Sequence, residues 1–217
     1  MDNLSAKIAF LAIATVPLLL GITLHEAAHA YAARHFGDRT AEKMGRISLN
    51  PLRHIDPFGT VILPLLLFFT SGFWFGYARP VPVDFARLKR PKENMLWVAL
   101  AGPAANFGMA IGWALVGALA HVLPLLDYNN ALLVMCNAGV FINLMLMFLN
   151  LIPLPPLDGG RIATSLLPLS LARPYARLEP FGIVIILLLA VSGLLGAFLM
   201  PLVGGTAFWL NSLFSLS

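Results

Sequence analysis

His25, Glu26 and His29 stand in the stretch Gly21-Ile22-Thr23-Leu24-His25-Glu26-Ala27-Ala28-His29-Ala30-Tyr31, a His-Glu-x-x-His pattern at the end of an apolar run. On a helix, positions four apart are offset by roughly 40° and lie one turn above each other on one face. Two imidazoles so placed can converge on a single zinc ion, and the neighbouring Glu26 can take a proton from a water that the metal activates. The chemistry would be metal-assisted hydrolysis. A shuffled chain of this composition would show the pattern about once in five hundred arrangements, so chance is a weak rival.

A third ligand is needed, and the run Asn150-Leu151-Ile152-Pro153-Leu154-Pro155-Pro156-Leu157-Asp158-Gly159-Gly160-Arg161 offers one. Its prolines must break a helix, and its glycines permit a turn. Asp158 is thus expected as the third zinc ligand, leaving one position open for water. The competing expectation is that Asp158 caps a short helix that follows it. Asn106 is a polar group inside an apolar run, where it must face a partner or a cavity rather than lipid. His54 and Asp56, in Asn50-Pro51-Leu52-Arg53-His54-Ile55-Asp56-Pro57, are candidate extra ligands or substrate contacts, against the reading of an interfacial loop whose polar groups cap its neighbours. Asn137, Asn143 and Asn150 recur at six and seven residues, roughly one side of a helix, and read as hydrogen-bonding glue between helices. Asn106, His54 and Asn150 are also candidates to touch substrate or to line a polar path for water.

The elements that must position these residues follow from composition. The chain has 217 residues, 59 % hydrophobic and 11 % charged, with a mean hydropathy of +0.84. Soluble domains carry roughly 25 % charged residues, so this is a membrane protein. A net charge of +4 in such a chain marks cytoplasmic loops rather than nucleic-acid binding. The single cysteine, Cys136, excludes an internal disulfide and reads as a small core residue. Residues 6–34 form one helix, interrupted only by Pro17, long enough to span a bilayer. Residues 8–20 have the length of a signal-peptide core, but the weakly basic start and the continuation into the metal motif favour an uncleaved helix. Further spans are expected at 95–121, 130–150 and 180–200, with a short apolar stretch at 202–214. Residues 58–76 are apolar but carry Pro64 and Gly72. If they dip into the membrane and return, thirteen of the 14 Lys and Arg fall on one face, which the positive-inside bias prefers. The expected fold is an all-α polytopic membrane protein with about five to six membrane segments and a re-entrant hairpin at 58–76. It forms a single domain over residues 1–217, with a catalytic core at about 6–165 and C-terminal helices at 178–214.

With His25-Glu26-x-x-His29, Gly102-Pro103-x-x-Asn106 and Asn150-x-x-Pro-x-Pro-x-Leu-Asp158-Gly159 in this order, the chain resembles the site-2 protease family of intramembrane zinc metalloproteases. The resemblance covers roughly residues 15–165. Asn50-Pro-x-x-His54-Ile-Asp56-Pro and the Ala-Arg-Pro-Val-Pro-Val stretch look like its compact bacterial and archaeal branch, without peptide-binding PDZ or nucleotide-sensing CBS domains. The resemblance implies one zinc per chain on His25, His29 and Asp158, with Glu26 as general base. It implies that Asn106 holds substrate or polarises its carbonyl. It also implies a single-span transmembrane protein as substrate, with its helix locally unwound, in the inner membrane of a prokaryote and with the site towards the cytoplasm. Two rival classes are an inactive scaffold that keeps the motif and a metal-binding or transport protein. A transporter would need exchangeable ligands along a path and favours inverted repeats; one cluster and no repeat are seen.

Overall fold

The computed structural model describes residues 3–63, 65–66, 79–122 and 129–214. Among them there is no strand. The helices are α1 (Asn3–His35), the short α2 (Thr40–Lys43), α3 (Pro91–Val122), α4 (Asn129–Asn150), α5 (Asp158–Leu166), α6 (Leu169–Ala176), α7 (Glu179–Val191) and α8 (Leu194–Leu213). Among the described residues, four stretches are long and apolar enough to cross a membrane: Ile8–His35, Pro91–His121, Ala131–Asn150 and Leu194–Leu213. A fifth results if α6 and α7, bent by 64°, form one broken span. This is an all-α polytopic membrane fold. The hairpin expected at 58–76 lies largely outside the described residues. Its flanks are described, and they are tied together: the Arg79 N–H donates to the His54 carbonyl at 2.9 Å. The chain therefore enters and leaves that segment on one side of the molecule.

α1, α3 and α4 pack against one another as the central bundle. Small residues let their backbones approach, as lipid-embedded helix pairs require. A Cβ on Gly21 would stand 2.7 Å from Asn143 Oδ1, and one on Gly139 would overlap the Trp113 ring. Leu144, Leu199, Val203 and Leu210 form a buried seam between α4 and α8. The last span differs from the expected 180–200. The chain breaks at Gly193, whose φ of 78° suits a residue without Cβ, and the crossing helix runs on from Leu194 through Pro201.

The polar segments gather at the end where α1 finishes and α3 begins. Asp38, 1 % exposed, is their knot. Its Oδ1 accepts from the Thr40 N–H (2.9 Å) and hydroxyl (2.5 Å), and its Oδ2 accepts from the Asp84 N–H (2.8 Å). The Lys89 N–H bonds the Phe36 carbonyl at 2.9 Å. Arg46 Nη2 donates to the carbonyls of Arg79 (3.1 Å) and Pro80 (3.3 Å). The basic loops 34–53 and 79–92 thus share one end of the bundle.

Burial opposes the Asp38 charge, but the Thr40 and Asp84 donors and the nearby Arg87 outweigh it and hold the carboxyl below its ordinary range. A lowered folded pKa contributes stability above the unfolded value, near 4, and that stability is lost as pH falls through the folded value. Asp38→Asn should therefore cost about 2 kcal/mol at neutral pH and much less in acid. Thermal unfolding of wild type and Asp38→Asn in detergent, followed by circular dichroism at pH 7 and below pH 4, checks this.

Candidate metal centre

His25 and His29 project from one face of α1, and Asp158 is the first residue of α5. The three side chains are 7 %, 7 % and 5 % exposed. His25 Nε2 and His29 Nε2 lie 3.0 Å apart, and each lies 3.2 Å from Asp158 Oδ2. Ligands bound at about 2.0 Å in a tetrahedron stand roughly 3.3 Å apart, so this near-equilateral triangle has the size of a zinc site.

The hydrogen bonds behind the rings decide what the triangle can hold. His29 Nδ1 faces the Val98 carbonyl at 2.7 Å, and a carbonyl can only accept, so that nitrogen carries the proton. His25 Nδ1 faces Asn106 Oδ1 at 2.6 Å. The amide cannot be flipped, because Asn106 Nδ2 donates to the Gly21 carbonyl (3.2 Å) and to Asn143 Oδ1 (3.0 Å), while Asn143 Nδ2 donates to the Gly139 carbonyl (2.8 Å). In their neutral forms both rings therefore turn an unprotonated Nε2 inward, towards a carboxylate oxygen. Three lone pairs converge with no proton to share, which is the donor set of a cation site with its ligand-orienting partners in place.

Asp158 reaches the histidines because of how the chain leaves α4. Residues 151–157 turn through Pro153, Pro155 and Pro156, with a cis bond between the last two. Gly159 and Gly160 lie in the first turn of α5 against the backbone of that turn. A Cβ on Gly159 would overlap the Leu151 and Ile152 carbonyls, and one on Gly160 would overlap Pro155. The glycines thus serve close approach rather than the free turning expected from sequence. The Tyr175 hydroxyl braces the same turn by donating to the Pro153 carbonyl at 2.7 Å. Asp158 makes no capping hydrogen bond, so the rival reading of a helix cap does not describe it.

A cavity of about 370 Å³ opens on the triangle. Glu26 lines it beside the three ligand candidates, and the remaining wall is mostly apolar, with Val81, Leu149, Leu157 and Ile186 among its residues. Glu26 Oε2 accepts from the Val81 N–H at 2.7 Å. Val81 belongs to the extended strip 79–84, which Arg46 grips one residue away, through the Arg79 and Pro80 carbonyls.

The comparisons with known proteins agree with this chemistry. The family model described as Peptidase family M50 matches residues 13–134 and 125–193. The chain belongs to peptidase family M50. It is 37 % identical over 204 residues to "Putative zinc metalloprotease YwhC" of Bacillus subtilis (strain 168), covering 92 % of this chain and 90 % of that protein. It is 31 % identical over 189 residues to "Putative zinc metalloprotease Rip2" of Mycolicibacterium smegmatis (strain ATCC 700084 / mc(2)155), covering 85 % of this chain and 69 % of the relative. It is 28 % identical over 162 residues to "Zinc metalloprotease MJ0392" of Methanocaldococcus jannaschii (strain ATCC 43067 / DSM 2661 / JAL-1 / JCM 10045 / NBRC 100440), covering 73 % of this chain and 35 % of the relative. No solved structure matches the chain significantly. As an M50 peptidase, the chain is a zinc metalloprotease.

The family's expected site residues do not all meet. His25, His29, Asp158 and Glu26 share the cavity. Asn150 lines it too, with its Nδ2 donating to the Leu146 carbonyl at 2.9 Å. Asn106 is fully buried behind His25, and both its N–H groups are engaged by Gly21 and Asn143. It has no donor left for substrate, and its contact is with the ligand ring. His54, 1 % exposed, is outside the cavity; its Nε2 donates to the Ser48 carbonyl at 2.8 Å and fixes the 48–54 turn. Asp56 caps the turn that follows it, accepting from the N–H groups of Phe58 and Gly59. Sequence reasoning missed Asn143 as the second link behind His25, the strip at Val81, and Gly102. A Cβ on Gly102 would overlap both histidine rings. The signal available was the four-residue spacing of Gly102 and Asn106, which puts a gap and a grip on one helix face.

Asn106→Ala should weaken zinc binding about 10- to 100-fold by freeing His25 and orphaning its Nδ1–H. Gly102→Ala should weaken it at least as much by displacing both rings. Zinc retained against graded chelator, with helical content followed by circular dichroism, measures each.

Proposed function

We propose that this zinc metalloprotease is an intramembrane endopeptidase that hydrolyses a peptide bond in or near the transmembrane helix of a single-span membrane protein. One observation carries the reading: the three convergent lone pairs and Glu26 line one largely apolar cavity within a bundle of membrane-crossing helices. His25 lies ten residues before the end of α1, about 15 Å along the helix from the basic end. A peptide bond reaching it must come through the bilayer.

In this reading His25, His29 and Asp158 hold one zinc. Such an ion would supply Lewis-acid chemistry, acidifying a water to a pKa of about 7 and polarising a carbonyl. Glu26 takes the proton from the attacking water and returns it to the leaving amine. The Val81 N–H holds one oxygen of the Glu26 carboxylate and so fixes its direction. Asn106 and the Val98 carbonyl keep both imidazoles in the ligating tautomer. The apolar wall receives the side chains of a transmembrane segment, whose helix must unwind locally because its peptide groups are otherwise hydrogen-bonded along the helix. The positive-inside bias supports a cytoplasmic position for the shared basic end of the bundle, with the site opening on that side, and the reading puts the chain in a prokaryotic inner membrane.

The test is co-expression with a library of tagged single-span proteins. Glu26→Gln should abolish every product that wild type forms while keeping zinc near one per chain, and His29→Ala should lose both. A Glu26→Gln chain that still cleaves defeats the mechanism. Orientation is tested separately, with single cysteines at positions 43 and 89 in a Cys136→Ser background. Neither should react with an impermeant thiol reagent added outside intact cells.

A further inference from the structure

Arg161 stands in the candidate metal cavity with no ion-pair partner among the described residues. It is half-buried and lines the same wall as Glu26 and Asp158. Its guanidinium carbon lies 5.2 Å from the centre of the Phe85 ring. Phe85 is itself packed on the buried cluster of Ala33, Leu88 and Val98, so the ring is a fixed platform. Among the described residues no carboxylate lies within 4.0 Å of Arg161, and its side chain makes no hydrogen bond. The other charged groups on the wall are engaged: Asp158 with the histidines, and Glu26 with the Val81 N–H. A guanidinium held over an aromatic ring in a mostly apolar cavity is costly without an acceptor, and its planar donors match a carboxylate.

We propose that Arg161 is a specificity-determining residue that binds a carboxylate of the peptide substrate, an Asp or Glu side chain or a free C-terminus, close to the scissile bond. This rests on the proteolytic reading above. Arg161 follows Asp158 by three residues on α5, about 4.5 Å along the axis. An extended peptide rises about 3.3 Å per residue, so the carboxylate falls within about three residues of the bond cut. A lipid phosphate is the weaker occupant. Arg87, Lys89 and Arg90 are exposed on the same end for headgroups, whereas Arg161 shares the cavity with the general base.

The probes are Leu/Ala-rich peptides of about 20 residues, long enough to span a bilayer. In one series a single Asp is moved along the peptide, in a second it is replaced by Asn, and a third ends the peptide at each position as a free acid or as an amide. Binding of the fluorescently labelled peptides to the zinc-loaded full chain in micelles is read by anisotropy, and cleavage by mass spectrometry. Wild type should bind the best Asp or free-acid peptide at least about tenfold more tightly than its Asn or amide twin. Arg161→Gln should abolish that ratio, and Arg161→Asp should transfer the preference to a Lys-bearing peptide, with zinc content unchanged in both. The Asp and free-acid arms separate the two sources of carboxylate. Equal binding of acidic and neutral twins by wild type, or a preference that survives in Arg161→Gln, overturns the proposal. Equal peptide binding together with loss of bound phosphatidylglycerol in Arg161→Gln assigns the guanidinium to a headgroup and overturns it too. Binding decides the matter even where no peptide is cut, and absence of cleavage alone would count against the proteolytic reading instead.

Discussion

Two imidazole nitrogens and a carboxylate oxygen, all with lone pairs inward and 3.0–3.2 Å apart, are the constraint on which this molecule depends. Three such acceptors repel one another in an apolar interior unless a cation sits among them. Metal binding and the closing of the bundle are therefore linked, since the geometry exists only where α1, α3 and α5 meet. α1 supplies the histidines at helical spacing. α3 supplies the gap at Gly102 that admits the two rings and, one turn on, the amide of Asn106 that directs one of them. α5 is pressed onto the residues 151–155 by two glycines that leave no space for a side chain, and this sets where Asp158 begins.

The deeply buried amides of the bundle serve two ends at once. Asn143 and Asn106 join α4 to α3, and Asn106 joins α3 to α1 through Gly21 and His25. Unpaired, each would cost several kcal/mol in lipid. Linked in series they hold three helices together and also dictate the proton position on a candidate zinc-binding ring. Helix association and metal chemistry are thus the same set of hydrogen bonds, and a change that loosens one must disturb the other.

Glu26, the proposed general base, is held from a different quarter. Glu26 takes its orientation from the strip 79–84, which lies outside the bundle and is gripped by Arg46 and by the His54 carbonyl. The strip is extended because proline alternates through Pro80 and Pro82. In a zinc metalloprotease this separates two requirements. The ligand triangle is fixed by helix packing, while the base and the cavity wall are fixed by a polar belt at the basic end, tied together by Asp38.

The sequence alone determined the membrane class and the helical fold, and it singled out His25, His29 and Glu26 as the candidate metal pair and base. Hydropathy and a four-residue spacing are local quantities, written along the chain at short range. It also singled out Asp158, because prolines and glycines announce an irregular turn wherever they stand. It left open whether Asp158 caps a helix or faces the histidines, and whether His54 touches substrate or only orders an interfacial loop, and it offered Asn106 as a substrate contact on resemblance alone. Those points turn on which groups meet across 81 residues for Asn106 and His25, or 129 for His29 and Asp158. A polar side chain in an apolar run must find a partner, but spacing does not say which one. Only the packing of α3 against α1 spends both Asn106 donors on protein, and only the turn at Ser48 takes the His54 ring away from the cavity. Tertiary structure decided these roles because a hydrogen bond is satisfied by the nearest correctly placed acceptor, and nearness in a bundle is set by side-chain volume: here by the glycines at 21, 102, 159 and 160.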